Sequence, residues 1–203
     1  MSKKGDFMGQ VDFFNTVAKN WDNMIEINDS KINYLLSKLE IKEDDSILDI
    51  GTGTGVLIPF LDKLAPKGII RGVDISKGML EVAIEKYGNR SNITFDLVDI
   101  ENDEINNEYN KIILYSMYPH LENKTDTIKK LVCNNLKHNG ILMIAHSNSR
   151  DFLNNLHSNA DKRVKDSLLL EVNEQKQIFQ NAGLNVIEAF ENDEMYYVVI
   201  HKK

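Results

Sequence analysis

The sequence predicts an α/β fold, with a mostly parallel sheet of seven strands, helices on both faces of the sheet and a helical cap at the N-terminus. Three observations predict this architecture. Short apolar runs alternate with amphipathic stretches along the chain, which is typical of β-α-β units. A glycine-rich turn follows the first of these runs. The last two runs are separated by a turn that is too short for a helical crossover.

The apolar runs are predicted strands because each is short, apolar and bounded by turn-forming residues. They cover residues 46–50, 68–74, 93–98, 111–115, 141–145, 185–189 and 196–200. The turn-rich Glu191-Asn192-Asp193 separates the last two. Since a parallel connection needs roughly a dozen residues or more, these two strands cannot both be parallel to the rest. We therefore expect the last strand to insert antiparallel.

The stretches between the strands are predicted helices, because their apolar residues recur at helical spacing. The helices cover residues 8–25, 30–39, 55–64, 77–87, 124–136, 150–157 and 170–182. Asn139-Gly140 is interpreted as the stop signal of the helix before the fifth strand. We expect one domain over 1–203, with a helical cap over 1–40 and an α/β core over 41–203.

The composition limits the classes of partner. The 203 residues carry a formal net charge of -7, which disfavours a general affinity for nucleic acid, because phosphate contacts need clustered lysine and arginine. The one cysteine, Cys133, excludes an intramolecular disulfide framework. The N-terminus is polar, and no apolar run approaches the roughly 20 residues that cross a bilayer. We expect a cytoplasmic protein with a small-molecule substrate and no nucleic-acid or membrane partner, present as a monomer or a homodimer.

A glycine-rich turn, Asp49-Ile50-Gly51-Thr52-Gly53-Thr54-Gly55, follows the first predicted strand. Glycines let a ligand approach the main chain, and the N-terminus of the next helix favours the anionic end of a ligand. Val56 stands where the dinucleotide fingerprint has its third glycine. Asp74, about twenty residues further on, suits the two hydroxyls of a ribose. Asp99, after the third strand, suits an adenine amino group.

Four runs of sequence together resemble the class I S-adenosylmethionine (SAM)-dependent methyltransferases. They are ILDIGTGTGVL (47–57), GVDIS (72–76) followed by Met79-Leu80, VDIE (98–101) and LKHNGILMIAH (136–146). In addition, FFNTVAKNWD (13–22) is similar to the helix that precedes the core in the quinone-biosynthesis-like branch of the family. The resemblance implies a Rossmann-like sheet of this kind and SAM as the cofactor.

The resemblance also implies which residues bind SAM. The turn after the first strand would surround the methionyl part of SAM with Asp49, Gly51, Thr52, Gly53 and Gly55. Asp74 would hold the ribose and Asp99 the adenine amino group, and the adenine would be flanked by Ile75, Met79 and Ile100. Tyr115, after the fourth strand, matches the position that lines the methyl-transfer site.

Three histidines, His120, His146 and His157, are predicted to lie at the carboxyl edge of the sheet, where an acceptor would meet the SAM methyl group. Three imidazoles are able to bind zinc or another divalent transition metal and leave a coordination position open. Alternatively, His120 or His146 is a general base for the acceptor's proton. In a third interpretation, the histidines only satisfy polar groups of the loops. The sequence leaves these alternatives open.

The function expected from these features is methyl transfer from SAM to a small-molecule acceptor, with Tyr115, His120 and His146 as candidate catalytic residues. The sulfonium charge already activates the methyl group, so the protein chiefly supplies proximity and orientation. Two other classes remain. One is a non-catalytic regulator that binds SAM or a metal. The other is an NAD-dependent oxidoreductase, which Val56 and the closing pair of strands disfavour.

Overall fold

The computed structural model of the chain describes residues 4–159 and 168–203. The helices are α1 (Lys4–Val17), α2 (Trp21–Met24), α3 (Asp29–Ser37), α4 (Ile58–Leu64), α5 (Lys77–Tyr87), α6 (Lys124–Asn134), α7 (Arg150–Asn159) and α8 (Val172–Asn181). The strands are β1 (Ser46–Ile50), β2 (Ile69–Asp74), β3 (Ile93–Leu97), β4 (Tyr109–Tyr115), β5 (Leu136–His146), β6 (Val186–Glu191) and β7 (Tyr196–His201). Short 3₁₀ turns cover Ala18–Asn20 and Tyr118–His120. Within these ranges, no helix is long and apolar enough to cross a membrane.

The strands form one sheet of seven in the order β3-β2-β1-β4-β5-β7-β6. Strands β3, β2, β1, β4 and β5 pair in parallel, whereas β7 is antiparallel to both of its neighbours, β5 and β6. The pairing of β5 with β7 sets His146 opposite Tyr196. The prediction of a mostly parallel sheet whose last strand is antiparallel is therefore confirmed.

Apolar side chains cover both faces of the sheet, because successive residues of a strand point to opposite sides. Leu48 of β1 belongs to a buried cluster that includes Ile128 of α6 and Phe179 of α8. Its neighbour Ile47 belongs to a second buried cluster, which includes Leu35 of α3. Helices thus pack on both faces, as predicted, and the carboxyl ends of the parallel strands are left for a binding site.

Strand β5 begins earlier than the sequence predicts. The helix predicted over 124–136 ends at Asn134, and β5 runs through Asn139-Gly140 to its end. The interpretation of Asn139-Gly140 as a helix stop is therefore wrong. The Asn139 N–H donates to the carbonyl of Lys202 at 2.8 Å, and the Lys202 N–H donates to the carbonyl of Gly140 at 3.0 Å. Pairing with the segment that follows β7 holds these residues in the sheet.

The N-terminal cap is attached to the loops that follow β1 and β2. The single helix predicted over 8–25 is divided into α1, a 3₁₀ turn and α2. The amide oxygen of Asn15 in α1 accepts a hydrogen bond from the Ser76 hydroxyl at 2.9 Å. The carboxylate of Asp22 in α2 accepts one from the Thr54 hydroxyl at 2.5 Å. These contacts hold the cap beside the carboxyl edge of the sheet.

Candidate active site

A cavity of about 520 Å³ lies at the carboxyl edge of the parallel strands. Its volume is within the range of roughly 300–1,000 Å³ that is typical of small-molecule sites. One side, which we call the donor side, consists of the lining residues among 49–57, 73–79 and 98–101. The other, the acceptor side, consists of the lining residues among 10–27, 115–121 and 147–156. The donor side therefore comes from the loops after the first three strands, and the acceptor side from the cap, α7 and the ends of β4 and β5.

The loop after β1 contains a run of left-handed backbone. Gly51, Gly53 and Gly55 have φ angles of 67°, 56° and 85°. Residues with a side chain rarely adopt this conformation, whereas glycine does so without a steric penalty. The N–H groups of Gly51 and Thr52 donate to the Val73 carbonyl at 2.8 and 3.0 Å, which fixes the loop on β2. Helix α4 begins only after this loop, and Gly51 and Gly53 of the loop line the cavity.

The three glycines have different neighbours. A Cβ atom on Gly51 would lie 2.6 Å from the Cβ of Met117, so this glycine permits a close approach of the loop after β4. A Cβ atom on Gly53 would meet nothing within 4 Å. A Cβ atom on Gly55 would lie 2.8 Å from the ring of Tyr87 in α5, and Gly55 does not line the cavity. Gly55 therefore makes room for the packing of α5, and its contact with a ligand stays a prediction.

Asp74, at the end of β2, joins two loops of the donor side. Its Oδ2 accepts the Gly53 N–H at 2.9 Å, and its Oδ1 accepts the Ser76 N–H at 2.8 Å. Burial raises the pKa of Asp74, while these backbone hydrogen bonds act in the opposite direction. The carboxyl group is thereby held in one position on the cavity wall.

Asp49 is the most deeply buried acid of the donor side, at 2% exposure. Burial, and to a smaller extent the nearby charge of Asp74, raises the pKa of Asp49 to about 7, although a hydrogen bond from Thr52 opposes the rise. The Thr52 hydroxyl donates to Asp49 Oδ2 at 2.7 Å. A cationic group of a ligand beside Asp49 would favour its ionised form.

Asp99 follows β3 at the far end of the donor side. Its Oδ1 accepts the Glu101 N–H at 3.0 Å, and its Oδ2 accepts the side-chain amide of Asn102 at 2.7 Å. These bonds orient the carboxylate at the cavity wall. The sequence-predicted residues that line the cavity are Asp49, Gly51, Thr52, Gly53, Asp74, Ile75, Met79, Asp99, Ile100 and Tyr115.

Tyr115 is the last residue of β4 and lines the cavity near its acceptor side. Its hydroxyl donates a hydrogen bond to the Ser147 Oγ at 2.7 Å. Burial raises the pKa of Tyr115, so the phenol stays protonated near neutral pH. The pair of hydroxyls formed by Tyr115 and Ser147 is thus a neutral hydrogen-bonding group in the cavity.

Among the histidines whose side chains the structure describes, His120 lines the cavity. It ends the 3₁₀ turn Tyr118–His120, in which Pro119 fixes the backbone and Tyr118 is buried. The imidazole contacts the ring of Phe14 edge-on, with centroids 5.4 Å apart. The structure therefore brings His120 to the acceptor side, as the sequence predicts.

His146 lies elsewhere. It is 1% exposed, does not line the cavity and packs with its ring centroid 6.1 Å from that of Tyr196. Residues two apart on a strand share a face, so His146 points with Ile144 into the core. The structure therefore does not bring His146 to the cavity wall together with His120. The side chain of His157 lies outside the described part of the structure, and among the described residues no group of three or more His, Cys, Asp or Glu is placed to hold a metal ion.

The sequence does not reveal several residues of the acceptor side. Ser147 and Met117 line the cavity only because the loops after β4 and β5 approach the glycine loop. Met24, Phe152 and Leu156 line it from the cap and from α7. The four-residue spacing of Phe152 and Leu156 indicates that they share one face of a helix. Nothing in the sequence indicates what that face contacts.

Comparisons with known proteins show which family the chain resembles. Residues 41–197 match the model of a protein family described as "Methyltransferase domain". The chain is 35% identical to the malonyl-[acyl-carrier protein] O-methyltransferase of Acetivibrio thermocellus over 131 residues, which are 64% of this chain and 46% of the relative. It is 31% identical to the protein of the same name from Priestia megaterium over 156 residues, which are 74% of this chain and 56% of the relative. The chain spans about half the length of these curated relatives.

Among solved structures, the fold is similar to that of DhpI in its complex with S-adenosylhomocysteine (SAH). The TM-score is 0.78 at 14% identity, and the match covers 98% of each chain. At this identity the likeness is evidence for the fold alone. Both curated relatives are named for the substrate malonyl-[acyl-carrier protein]. They therefore do not represent the quinone-biosynthesis-like branch that residues 13–22 resemble.

Proposed function

Since the chain belongs to the class I SAM-dependent methyltransferases, we propose that it transfers the methyl group of SAM to a hydroxyl oxygen of a small-molecule acceptor, with His120 accepting the hydroxyl proton. The observation that carries this proposal is that the glycine loop, its acidic partners and His120 line one cavity. A donor and a protic acceptor then meet in the same partly enclosed space, which replaces an encounter in solution by a fixed approach.

We propose that SAM occupies the donor side. Its carboxylate would lie on the open main chain of Gly53, and its ammonium near the buried Asp49 carboxyl group. Asp74, whose oxygens are already oriented by backbone N–H groups, would accept from the ribose hydroxyls. Asp99 would accept from the adenine amino group, with the ring packed between Ile75, Met79 and Ile100. The cap over 1–40 and the core over 41–203 would act as one domain, because both line the cavity.

The acceptor side suits the remaining chemistry. A lone pair of the acceptor oxygen would attack the methyl carbon of SAM, with cleavage of the bond from that carbon to sulfur and release of SAH. The oxygen's proton would pass to a ring nitrogen of His120. A positioned general base of this kind contributes about 10²–10⁴-fold to the rate. Tyr115 stays protonated and would orient the acceptor oxygen through its hydroxyl.

A second candidate acceptor is a carboxylate carried on a carrier protein, which the names of the relatives favour. A carboxylate is already anionic at neutral pH and loses no proton in the reaction. His120 would then act only by orientation or as a cation. The two candidates therefore differ in their dependence on the base.

The metal alternative concerns His120, His146 and His157. A bound zinc ion would hold the acceptor oxygen as an anion and remove the need for a base. It would require His146 to leave its buried position beside Tyr196. Metal analysis of the purified protein tests this alternative: a stoichiometric ion that is lost on the substitution of each histidine by alanine supports it.

The decisive experiment is a methyl-transfer assay with labelled SAM and a panel of phenols, alcohols, quinol precursors, thiols, amines and malonyl-carrier protein. It compares the native chain with His120→Gln and with the matched control His138→Gln, whose histidine is exposed and outside the cavity. We expect a hydroxyl acceptor to be methylated and His120→Gln alone to reduce kcat by about 10²–10⁴-fold. SAH affinity, measured by calorimetry, should be unchanged in both variants.

Methylation of malonyl-carrier protein alone, with little effect of His120→Gln, would replace the proposal by the second candidate. A protein that binds SAH but methylates no member of the panel would favour the non-catalytic regulator instead. Binding of NAD in place of SAH would contradict the assignment of the donor side.

A further inference from the structure

We infer that the methyl acceptor carries an uncharged alkyl or aryl group, which lies in a cleft between α7 and the segment 24–27. We call this the acceptor cleft and define it by the side chains of Met24, Ile27, Phe152 and Leu156. The inference rests on the proposed function, because it assigns the cleft to the substrate of that reaction. It adds the class of the substrate, which the donor side does not specify.

The cleft is formed by large apolar side chains that the fold leaves in water. Met24, Ile27, Phe152 and Leu156 are 54%, 46%, 54% and 53% exposed, and all four line the cavity. Single exposed apolar residues are normal on a protein surface. A group of exposed apolar residues that line one cavity is typical of a binding site for an apolar ligand.

The α7 wall of the cleft is fixed by its other side chains. Leu153 is buried in the core, and the side-chain amide of Asn154 donates to the Leu169 carbonyl and accepts the Leu169 N–H, both at 2.9 Å. Phe152 and Leu156 are four residues apart and so form one stripe of the helix. Rotation of α7 that buried this stripe would break the Asn154 contacts. Its exposure to the cavity is therefore a property of the anchored helix.

The opposite wall is held at both of its ends. Before it, Asp22 binds Thr54 and Lys86 through its carboxylate. After it, the Asn28 side chain caps α3 by accepting the Lys31 N–H at 3.0 Å. The Lys31 ammonium also donates to the Ser147 carbonyl at 3.4 Å, which ties α3 to the end of β5. The segment 24–27 thus lines the cavity from a fixed position.

The cavity is polar beside the proposed site of methyl transfer and apolar in the acceptor cleft, which suits an amphipathic acceptor. His120 and the hydroxyl pair of Tyr115 and Ser147 are the polar groups beside the proposed site of methyl transfer. The acceptor cleft is defined by apolar side chains, so a reactive hydroxyl would lie beside His120 and the hydrocarbon part of the acceptor among these side chains. Glu26 and Glu101 also line the cavity, and their charge would repel an anionic tail. These observations together favour an uncharged apolar group as the occupant.

The first test measures binding without catalysis. The n-alkanols from butanol to octanol are titrated into the SAH-loaded protein, and the fluorescence of Trp21 is recorded. Trp21 is the one tryptophan of the chain and lines the cavity, so its signal reports this site. We expect the affinity to rise about two- to fourfold with each methylene group. An affinity that does not change along the series would overturn the inference.

The second test compares variants. Phe152→Ala and Leu156→Ala should each flatten the dependence on chain length, whereas Ile187→Ala should not, because Ile187 is 55% exposed on β6 and does not line the cavity. A dependence that is the same in all three variants would also overturn the inference. A series of 4-alkylphenols gives the matching kinetic measurement through kcat/KM. If no hydroxyl compound is methylated while the alkanol dependence persists, the proposed reaction fails and the apolar cleft stands.

Discussion

The two sides of the cavity are built in different ways. The donor side is made of three loops that follow neighbouring strands, and these loops hold one another through backbone groups, such as the Gly53 N–H on Asp74 and the Gly51 N–H on Val73. The acceptor side is assembled from the cap, α7 and the ends of β4 and β5, and it depends on side-chain packing, such as Phe14 against His120. Hydrogen bonds from backbone N–H groups, including one to the Asp74 carboxylate, fix the donor side to one geometry, whereas the acceptor side is specified by side chains that can change without altering the sheet.

Under the proposed function, we expect this difference to separate affinity for SAM from the choice of acceptor. Substitutions on the donor side should alter SAH binding and leave the acceptor preference unchanged. Substitutions on the acceptor side should have the opposite effect. Gly51 is the exception, because it is the point at which the donor loop contacts Met117 of the acceptor side.

The largest effect is expected for Gly51→Ala. The substitution would add a side chain to a residue with left-handed backbone, and the new methyl group would clash with the Met117 side chain. These two effects together should lower the free energy of unfolding by roughly 2–4 kcal/mol. Urea denaturation measures this loss. Gly53→Ala should cost only about 1–2 kcal/mol, because its position is open.

Gly183→Ala is the matched control for these glycines, since Gly183 has φ 86° and open space around it but lies outside the cavity. It should resemble Gly53→Ala in stability and differ from it in retaining full SAH affinity. Equal losses of stability in Gly51→Ala and Gly53→Ala would show that the two sides are not in contact at Met117.

The next effect concerns Asp74→Asn. The amide keeps one oxygen acceptor, so either the Gly53 or the Ser76 N–H loses its partner and the two loops separate. Hydrogen bonds to charged groups contribute about 1.5–3 kcal/mol, so SAH affinity should fall roughly 10- to 100-fold in calorimetry. Asp96→Asn is the control, because Asp96 pairs with Arg71 outside the cavity. Comparable losses in both variants would contradict a specific role for Asp74.

The pH dependence of binding should report Asp49. With its pKa raised to about 7 in the unliganded protein, Asp49 becomes ionised as the pH rises from about 6 to about 8. If its carboxylate faces the ligand ammonium, SAH affinity should rise up to about tenfold over this interval. The stability of the unliganded protein should change in the opposite sense and fall as the pH rises from about 4 to about 7, because Asp49 ionises more readily in the unfolded chain. Asp49→Asn should remove both dependences, and their persistence would assign them to another group.

The smallest effect is expected for Asp22→Ala, which removes the contact between the cap and the glycine loop at Thr54. Because Asp22 is partly exposed, the expected change is only about two- to fivefold, in the KM of the acceptor rather than in SAH affinity. Glu43→Ala, which removes an exposed ion pair with Lys67, should change neither. A fall in SAH affinity that is larger than the rise in the KM of the acceptor would show that the cap acts on SAM binding instead.

The donor side could be predicted from sequence because its determinants are local. Asp49, Gly51 and Gly53 lie within five residues of one another. Asp74 ends the second strand, and Asp99 follows the third. Alternating strands and helices likewise predicted the sheet and its antiparallel last strand. The error at Asn139-Gly140 arose because a turn signal was overridden by a partner at Lys202, which is distant in sequence.

The acceptor side could be predicted only in part. His120 ends the turn after β4, and its position at the carboxyl edge followed from topology. His146 is itself the last residue of β5, and strand alternation turns its side chain into the core beside Tyr196. The approach of Phe152 and Met24 depends on how α7 and the cap pack, and a local pattern carries no information on that packing.

The position of β7 between β5 and β6 has a further consequence, for the solubility of the protein. Without the β6–β7 hairpin, β5 would be an edge strand whose unpaired backbone and apolar side chains could add to a strand of another copy. The hairpin is joined to β5 only through α7, α8 and their connections, so its pairing is a long-range contact that forms slowly in comparison with local structure. Substitutions that weaken the pairing of Ile144 with Val198 would therefore promote self-association during synthesis, even though neither residue lines the cavity.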